Sequence, residues 1–266
     1  MKIEYTLLLL FLIALSNITY GGIKTIEGKV LDNKQQALQY VSIGIINKTY
    51  GTISNESGYF KIQINENQLA YNDSLRFSMI GFESRLFSVK EMFDNRFSTI
   101  ILIEKIESIP EVVITSRRLE TIENGTTINL FPIYVQLAIS EIPNQNLGSE
   151  IGRSFSINHK NTIIEKLKFY IAQNNYDSVT FRVNIYSVKH NKPYKNILTQ
   201  NIFVQVINGK TEWISVNLKP YNIYINNDII VSLEWVEKSE KGNTLVFPLA
   251  RPSAATHYYK YGSQNK

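Results

Sequence analysis

Apolar and polar residues alternate along most of the chain with a period of two, the spacing of half-buried strands rather than of helices. Ile26, Gly28 and Val30 alternate with polar neighbours, and Val41, Ile43 and Ile45 do the same. Phe60, Ile62 and Ile64 share one face of a strand that starts at Tyr59, and further strands are predicted over 74–80, 83–89 and 99–103. Turn residues fill the gaps. Asp32-Asn33 is one, and Asn55-Glu56-Ser57-Gly58 is another, in which Gly58 can take a positive φ without a Cβ clash. Val30, Val41, Phe60, Ile62 and Leu102 are expected to meet in one core.

A second β-rich block opens at Asn129. Phe181, Val183 and Ile185 alternate in one strand, and Ile229, Val231, Leu233 and Trp235 in another. More strands are predicted near 150–157, 166–172, 201–207, 211–218 and 244–249, about eight in all. Asn208-Gly209 between two apolar runs signals a hairpin. This spacing favours a jelly-roll or related sandwich. Between the blocks, residues 116–125 form a polar, charged joint, for which relative domain motion is the default expectation.

The first block resembles a known family. Gly28-Lys29-Val30-Leu31-Asp32 and then Leu38-Gln39-Tyr40-Val41-Ser42-Ile43 look like the opening of a carboxypeptidase-like regulatory domain. Gly51-Thr52-Ile53-Ser54 and Gly58-Tyr59-Phe60-Lys61-Ile62 match its glycine-rich hairpin, and Ser78-Met79-Ile80-Gly81-Phe82 its later strand and turn. The resemblance implies a transthyretin-like β-sandwich. Asn55 stands where the family often has aspartate, and it serves a turn equally well. The same domain precedes some TonB-dependent outer-membrane receptors, and Glu111-Val112-Val113-Ile114-Thr115 resembles the segment that follows it there. The rest of this chain is too short for a plug and a large barrel.

The expected organisation is therefore all-β, with two β-sandwich domains. Residues 1–21 read as a signal peptide, 22–104 as the regulatory-like domain, 105–125 as a connecting strand and linker, and 126–266 as a jelly-roll-like sandwich. Lys2 precedes an unbroken apolar run from Leu7 to Leu15, which is short of the roughly 20 residues needed to span a bilayer. Small and polar residues follow, with cleavage expected after Ser16 or Gly21. No other stretch approaches spanning length, so the mature chain is expected to lack a transmembrane span. It is expected outside the cytoplasm, in the periplasm or outer cell envelope.

Composition narrows the chemistry. The 266 residues include no cysteine and only three histidines, which removes disulfides, thiol nucleophiles and cysteine-held metals. The third residues after His159, His190 and His257 are Thr162, Pro193 and Lys260, so the His-x-x-Glu pair of a zinc carboxypeptidase is missing. His-Glu-x-x-His and Gly-x-Ser-x-Gly are missing too. No catalytic, cofactor-binding or metal-ligating residue is therefore assigned, and no cofactor is expected. Glycoside hydrolysis needs only two facing carboxylates, for which Glu212, Asp228 and Glu234 are available. The net charge of +5 lies wholly beyond Glu104, where 18 basic residues face 13 acidic ones. With no arginine-rich run, this surplus reads as solubilising charge, and nucleic acid is not an expected partner.

Aromatic residues carry the best binding signal. Trp213, Tyr221, Tyr224 and Trp235 fall in neighbouring elements of the second block, where they can stack on sugar rings or fill a core. The expected function is a non-catalytic exported envelope protein whose sandwiches bind or organise, with an envelope protein or a glycan as partner. A glycan-binding accessory protein is the alternative, and a glycoside-active enzyme a more distant one. The tyrosine-rich end, 258–261, is expected to fray or to pair weakly with the second sandwich.

Overall fold

The computed structural model describes residues 22–70, 72–94, 98–105, 120–125, 133–141, 144–249 and 257–264. The apolar run 7–15, the segment 111–115 and residues 116–119 of the joint lie outside them.

The first unit contains β1 (Ile23–Asp32), β2 (Ser42–Ile45), β3 (Gly51–Ile53), β4 (Tyr59–Asn65), β5 (Ser74–Ser78), β6 (Arg85–Ser88), the short helix α1 (Val89–Asp94) and β7 (Ser98–Leu102). One sheet runs β4-β1-β7 and the other β3-β2-β5-β6. Strand β7 pairs parallel to β1, and the remaining pairs are antiparallel. Alternation places every second residue of β4 inside, so Phe60, Ile62 and Ile64 are buried. Phe60 meets Phe77 of the facing sheet edge-on, with ring centroids 5.3 Å apart. Val30, Val41 and Leu102 complete this core as expected. Gly58 has φ +73° and closes the turn after Asn55, whose side-chain oxygen accepts from the Ser57 and Tyr59 amides.

The second unit contains β8 (Ile133–Gln136), β9 (Glu150–Phe155), β10 (Thr162–Ile164), β11 (Lys166–Tyr170), β12 (Gln173–Asn174), β13 (Ser178–Lys189) and β14 (Lys192–Asn196). It continues with β15 (Ile202–Ile207), β16 (Trp213–Asn217), β17 (Ile223–Ile225), β18 (Ile229–Lys238), β19 (Leu245–Leu249) and β20 (His257–Lys260). One layer runs β14-β13-β18-β9-β20, with β15 also on β13. Opposite it, β10, β11 and β12 pair in turn with β17, β16 and β19, and β19 pairs with β8. The layers meet through Phe181, which packs at 5.9 Å from Phe169 and 5.8 Å from Phe247. The chain is thus all-β, built as sandwiches.

Two expectations need correction. Asn208 and Gly209 both take positive φ, yet the strands they join do not pair: β15 bonds to β13 and β16 to β11. The turn carries the chain from one layer to the other, because the inward-facing Ile202 and Val206 on one side and Val216 on the other belong to opposite walls of the same core. Of the two expectations for the C-terminal segment, fraying gives way to pairing with the second sandwich. Strand β20 pairs antiparallel with β9 as the edge of its layer, and Ser263 and Gln264 beyond it are buried.

Glycines make that end fit. A Cβ on Gly51 would lie 2.4 Å from the Ser263 amide nitrogen, and one on Gly148 would lie 2.4 Å from the Ser263 Cβ. Gly51 belongs to the first unit and Gly148 to the second, so Ser263 sits in a slot that only the missing side chains leave open. Gly51→Val is expected to push 262–264 out of this slot and to cost about 1–3 kcal/mol, as overpacking does. Hydrogen exchange checks it: the 262–264 amides should exchange at least tenfold faster while those of β4 keep their protection.

Candidate functional site

Strand β13 shows two faces. Val179, Phe181, Val183 and Ile185 enter the core, so Thr180, Arg182, Asn184 and Tyr186 point away from it. Such residues normally meet water. Here Arg182 is only 2% exposed and Asn184 2%, because the first unit and the C-terminal segment cover this face. Strand β18 contributes Ser232 and Glu234 to the same layer, and β9 contributes Glu150; all three are buried.

Burial of charge demands partners. The Arg182 guanidinium donates through Nε and Nη2 to Glu234 Oε2 at 3.0 and 2.8 Å. It also donates across the unit boundary, through Nη1 to the Tyr40 carbonyl at 2.8 Å and through Nη2 to Ser42 Oγ. Ser42 in turn donates to Glu234 Oε1 at 2.9 Å. Asn184 Nδ2 links the two carboxylates, lying 3.0 Å from Glu150 Oε1 and 3.2 Å from Glu234 Oε2. Lys260 of β20 reaches Glu150 Oε2, which also accepts from the Tyr186 hydroxyl, while Ser232 donates to Oε1. Two acids and two bases therefore neutralise each other within one hydrogen-bonded layer.

The C-terminal segment closes the layer. Ser263 donates to the Ile43 carbonyl, and Gln264 Nε2 donates to the Ser42 carbonyl at 3.2 Å and to Ser78 Oγ at 2.9 Å. Arg76 donates to Gln264 Oε1. Beside this polar patch an apolar cluster joins Tyr40 and Ile53 of the first unit to Val236 of the second, with Leu147 packed against it. Tyr40 meets Phe203 at 4.8 Å and donates to Glu237 Oε2 at 2.6 Å. The two units are joined by a buried contact and not by the linker alone.

Electrostatics follow from this geometry. Burial by itself would raise the Glu234 carboxyl, but Arg182 and Lys260 outweigh it and hold the group at about 2. Burial would lower Lys260, yet Glu150 and Glu234 keep its ammonium above its ordinary value. Burial and then Glu150 push the Tyr186 hydroxyl well up, so it stays protonated and donates.

The aromatic candidates do not converge. Trp235 is fully buried, donates its indole N–H to the Glu237 carbonyl at 2.9 Å and meets Tyr176 edge-on at 5.4 Å. It is a core residue, with no face left for a ligand. Tyr221 packs half-buried on the same core. Tyr224 lies half-buried on β17 opposite Ile163. Trp213 alone of the four is well exposed, at 46%, and is paired with Tyr170 at 5.5 Å. The three carboxylates considered for glycoside chemistry are also separated. Glu234 is sealed in the layer, Glu212 pairs with Lys210 at 3.1 Å, and Asp228 accepts the Ile157 amide at 2.9 Å. Among the described residues there is no group of three or more His, Asp or Glu side chains placed to hold a metal.

The buried layer was missed because its members read as the polar half of ordinary strands. The sequence holds no signal for it, since alternation such as that of β13 in an antiparallel sheet ordinarily marks one buried and one solvated face.

Two layers facing across an aromatic core, built twice and joined through a closed polar interface, define an all-β protein of sandwich units. Residues 26–114 match the CarboxypepD_reg-like domain family, so the first unit is such a domain. That domain is a non-catalytic, regulatory or binding type of module. No curated protein matches the chain.

Removing one partner of a buried pair costs more than the pair contributes, because the other charge is left stranded. Arg182→Met is expected to lower stability by about 3–5 kcal/mol. Adding Glu234→Leu should recover part of that loss, and urea unfolding of both variants checks it. A second expectation concerns acid. The Glu234 carboxyl titrates at about 2 in the fold against an ordinary 4.5, so its contribution is complete above about pH 4.5 and is lost as pH falls through about 2. Unfolding free energies from urea titrations between pH 6 and pH 2 should fall steeply, by on the order of 3 kcal/mol for this group, and Glu234→Gln should flatten that limb.

Proposed function

We propose that this protein is an exported, non-catalytic binding protein of the cell envelope, in which the CarboxypepD_reg-like domain is rigidly mounted on a second sandwich. The observation that carries this reading is the closed layer around Arg182 and Glu234. All four of its charged groups have internal partners, and Arg182, Glu150 and Glu234 are buried. An active site keeps reactive groups open to substrate; this layer spends them on fixing the two units in one orientation. A rigid two-unit body suits presentation of a surface to a partner, because no freedom between the units has to be lost on binding. Export is supported by Lys2 followed by the apolar run 7–15, and by a cysteine-free composition that needs no redox control. A second reading, glycan binding, is favoured by the exposed Trp213 beside Tyr170.

The test is fractionation of cells that express the untagged full chain, followed by N-terminal sequencing. A tag is avoided because Ser263 and Gln264 are buried. The expected product starts at Asn17 or Gly22 and accompanies the envelope. A chain that still starts at Met1 in the cytosolic fraction would overturn the reading.

A further inference from the structure

We infer that the cleft between β15 and β16 is a binding site for a neutral glycan chain. This rests on the reading of the protein as a binding module and adds the place and the ligand class. The cleft exists because the turn at Asn208-Gly209 changes layers. Among the described residues, strand β15 pairs with β13 and β16 with β11 and not with each other, so the two strands part and leave a groove of about 250 Å³ at the side of the sandwich. Val204, Gln205, Lys210, Glu212, Trp213 and Ser215 line it.

These side chains match the two surfaces of a sugar ring. The C–H face of a pyranose is apolar and packs on an aromatic plane. Trp213 supplies the plane; Tyr170 braces it at 5.5 Å, and nearly half of the residue stays exposed. The ring's hydroxyls need donors and acceptors in alternation. Lys210 and Glu212 provide both, held 3.1 Å apart and each about half exposed, with the exposed Gln205 on β15 and Ser215 on β16 also lining the groove.

Charge selects among glycans. Lys210 is offset by Glu212, and Lys168, directly across from Ser215 on β11, is offset by Glu123 at 2.9 Å. The two lysines nearest the groove thus each stand beside a carboxylate, which suits a neutral polyhydroxyl chain and limits the advantage of a polyanion. Its size argues the same way. About 250 Å³ takes a ring or two, whereas a peptide added to a strand edge needs separate pockets for alternate side chains.

The experiment uses the intact mature chain and its tryptophan emission. Only two tryptophans are present, and Trp235 is fully buried, so a ligand-dependent change reports Trp213. Cellohexaose, xylohexaose, mannohexaose and chitohexaose are titrated separately, with hexagalacturonate as the charged counterpart. Saturable blue-shifted emission is expected for at least one neutral hexaose. Affinity by calorimetry should fall at least tenfold in Trp213→Ala and in Gln205→Ala, with unfolding midpoints unchanged. The inference is overturned if no neutral hexaose saturates by millimolar concentration. It is equally overturned if binding survives Trp213→Ala, or if hexagalacturonate alone binds. Any of these results leaves the envelope reading to stand or fall on fractionation and the N-terminus.

Discussion

Glu234 cannot be buried as an anion without a cation within reach, and most of the architecture answers that requirement. Its cation is Arg182, one strand away on β13, and the guanidinium has more donors than one carboxylate can accept. The surplus donors reach the Tyr40 carbonyl and the Ser42 hydroxyl, both in the other unit. Separating the units would strand those donors and expose a face that carries Glu150 and Glu234 together. The pair therefore specifies a docking geometry, and an apolar contact of similar area would leave more freedom to slide or rotate. Its net contribution to stability is modest by comparison, since desolvation of the two charges offsets much of their attraction.

The C-terminal segment completes this arrangement. Glu150 needs a cation of its own, and Lys260 arrives on β20, the last strand of the layer. The same strand covers the edge of β9 and so removes a row of unpaired backbone groups. Three residues on, Ser263 enters the slot formed by Gly51 and Gly148, and Gln264 bonds to Ser42, Ser78 and Arg76. Electrostatics and backbone shape thus act on one stretch of chain. Its packing depends on both units being present and correctly placed.

Much of this fold was legible from periodicity. Alternation along β1, β2, β4, β13 and β18 identified the core faces, and the motif pieces around Gly28, Gly51 and Gly58 identified the first unit. Two kinds of information were not available. Alternation says which face of a strand is apolar but not what covers the other, so Thr180, Arg182 and Asn184 read as solvent-facing until the neighbouring unit is placed. Turn chemistry fixes local backbone but not pairing, so Asn208-Gly209 looked like a hairpin although its flanking strands enter opposite layers. The aromatic candidates divided for the same reason. Trp235 ends an alternating run on the inward face, whereas Trp213 alternates out of phase with Ile214 and Val216 and so faces outward. Counting Ile214 and Val216 as the core face would have separated the two tryptophans beforehand.

Sealing one face has a consequence for function. The outward side of β13, β18 and β9 is occupied by the first unit, which leaves the opposite layer and the open side between β15 and β16 as the surfaces of the second unit that can meet a ligand. On that side the strands part, and backbone groups along two edges are not paired with one another. A natural edge so placed invites unwanted strand addition unless charge or bulk guards it. Lys210, Glu212 and the half-exposed indole of Trp213 stand at this opening. The same residues that discourage another strand, by placing charges and a wide ring where a backbone would have to settle, are those whose chemistry suits a sugar. Protection of the edge and recognition of a ligand therefore make compatible demands on one set of side chains, and a stable sandwich can keep this side open without inviting aggregation.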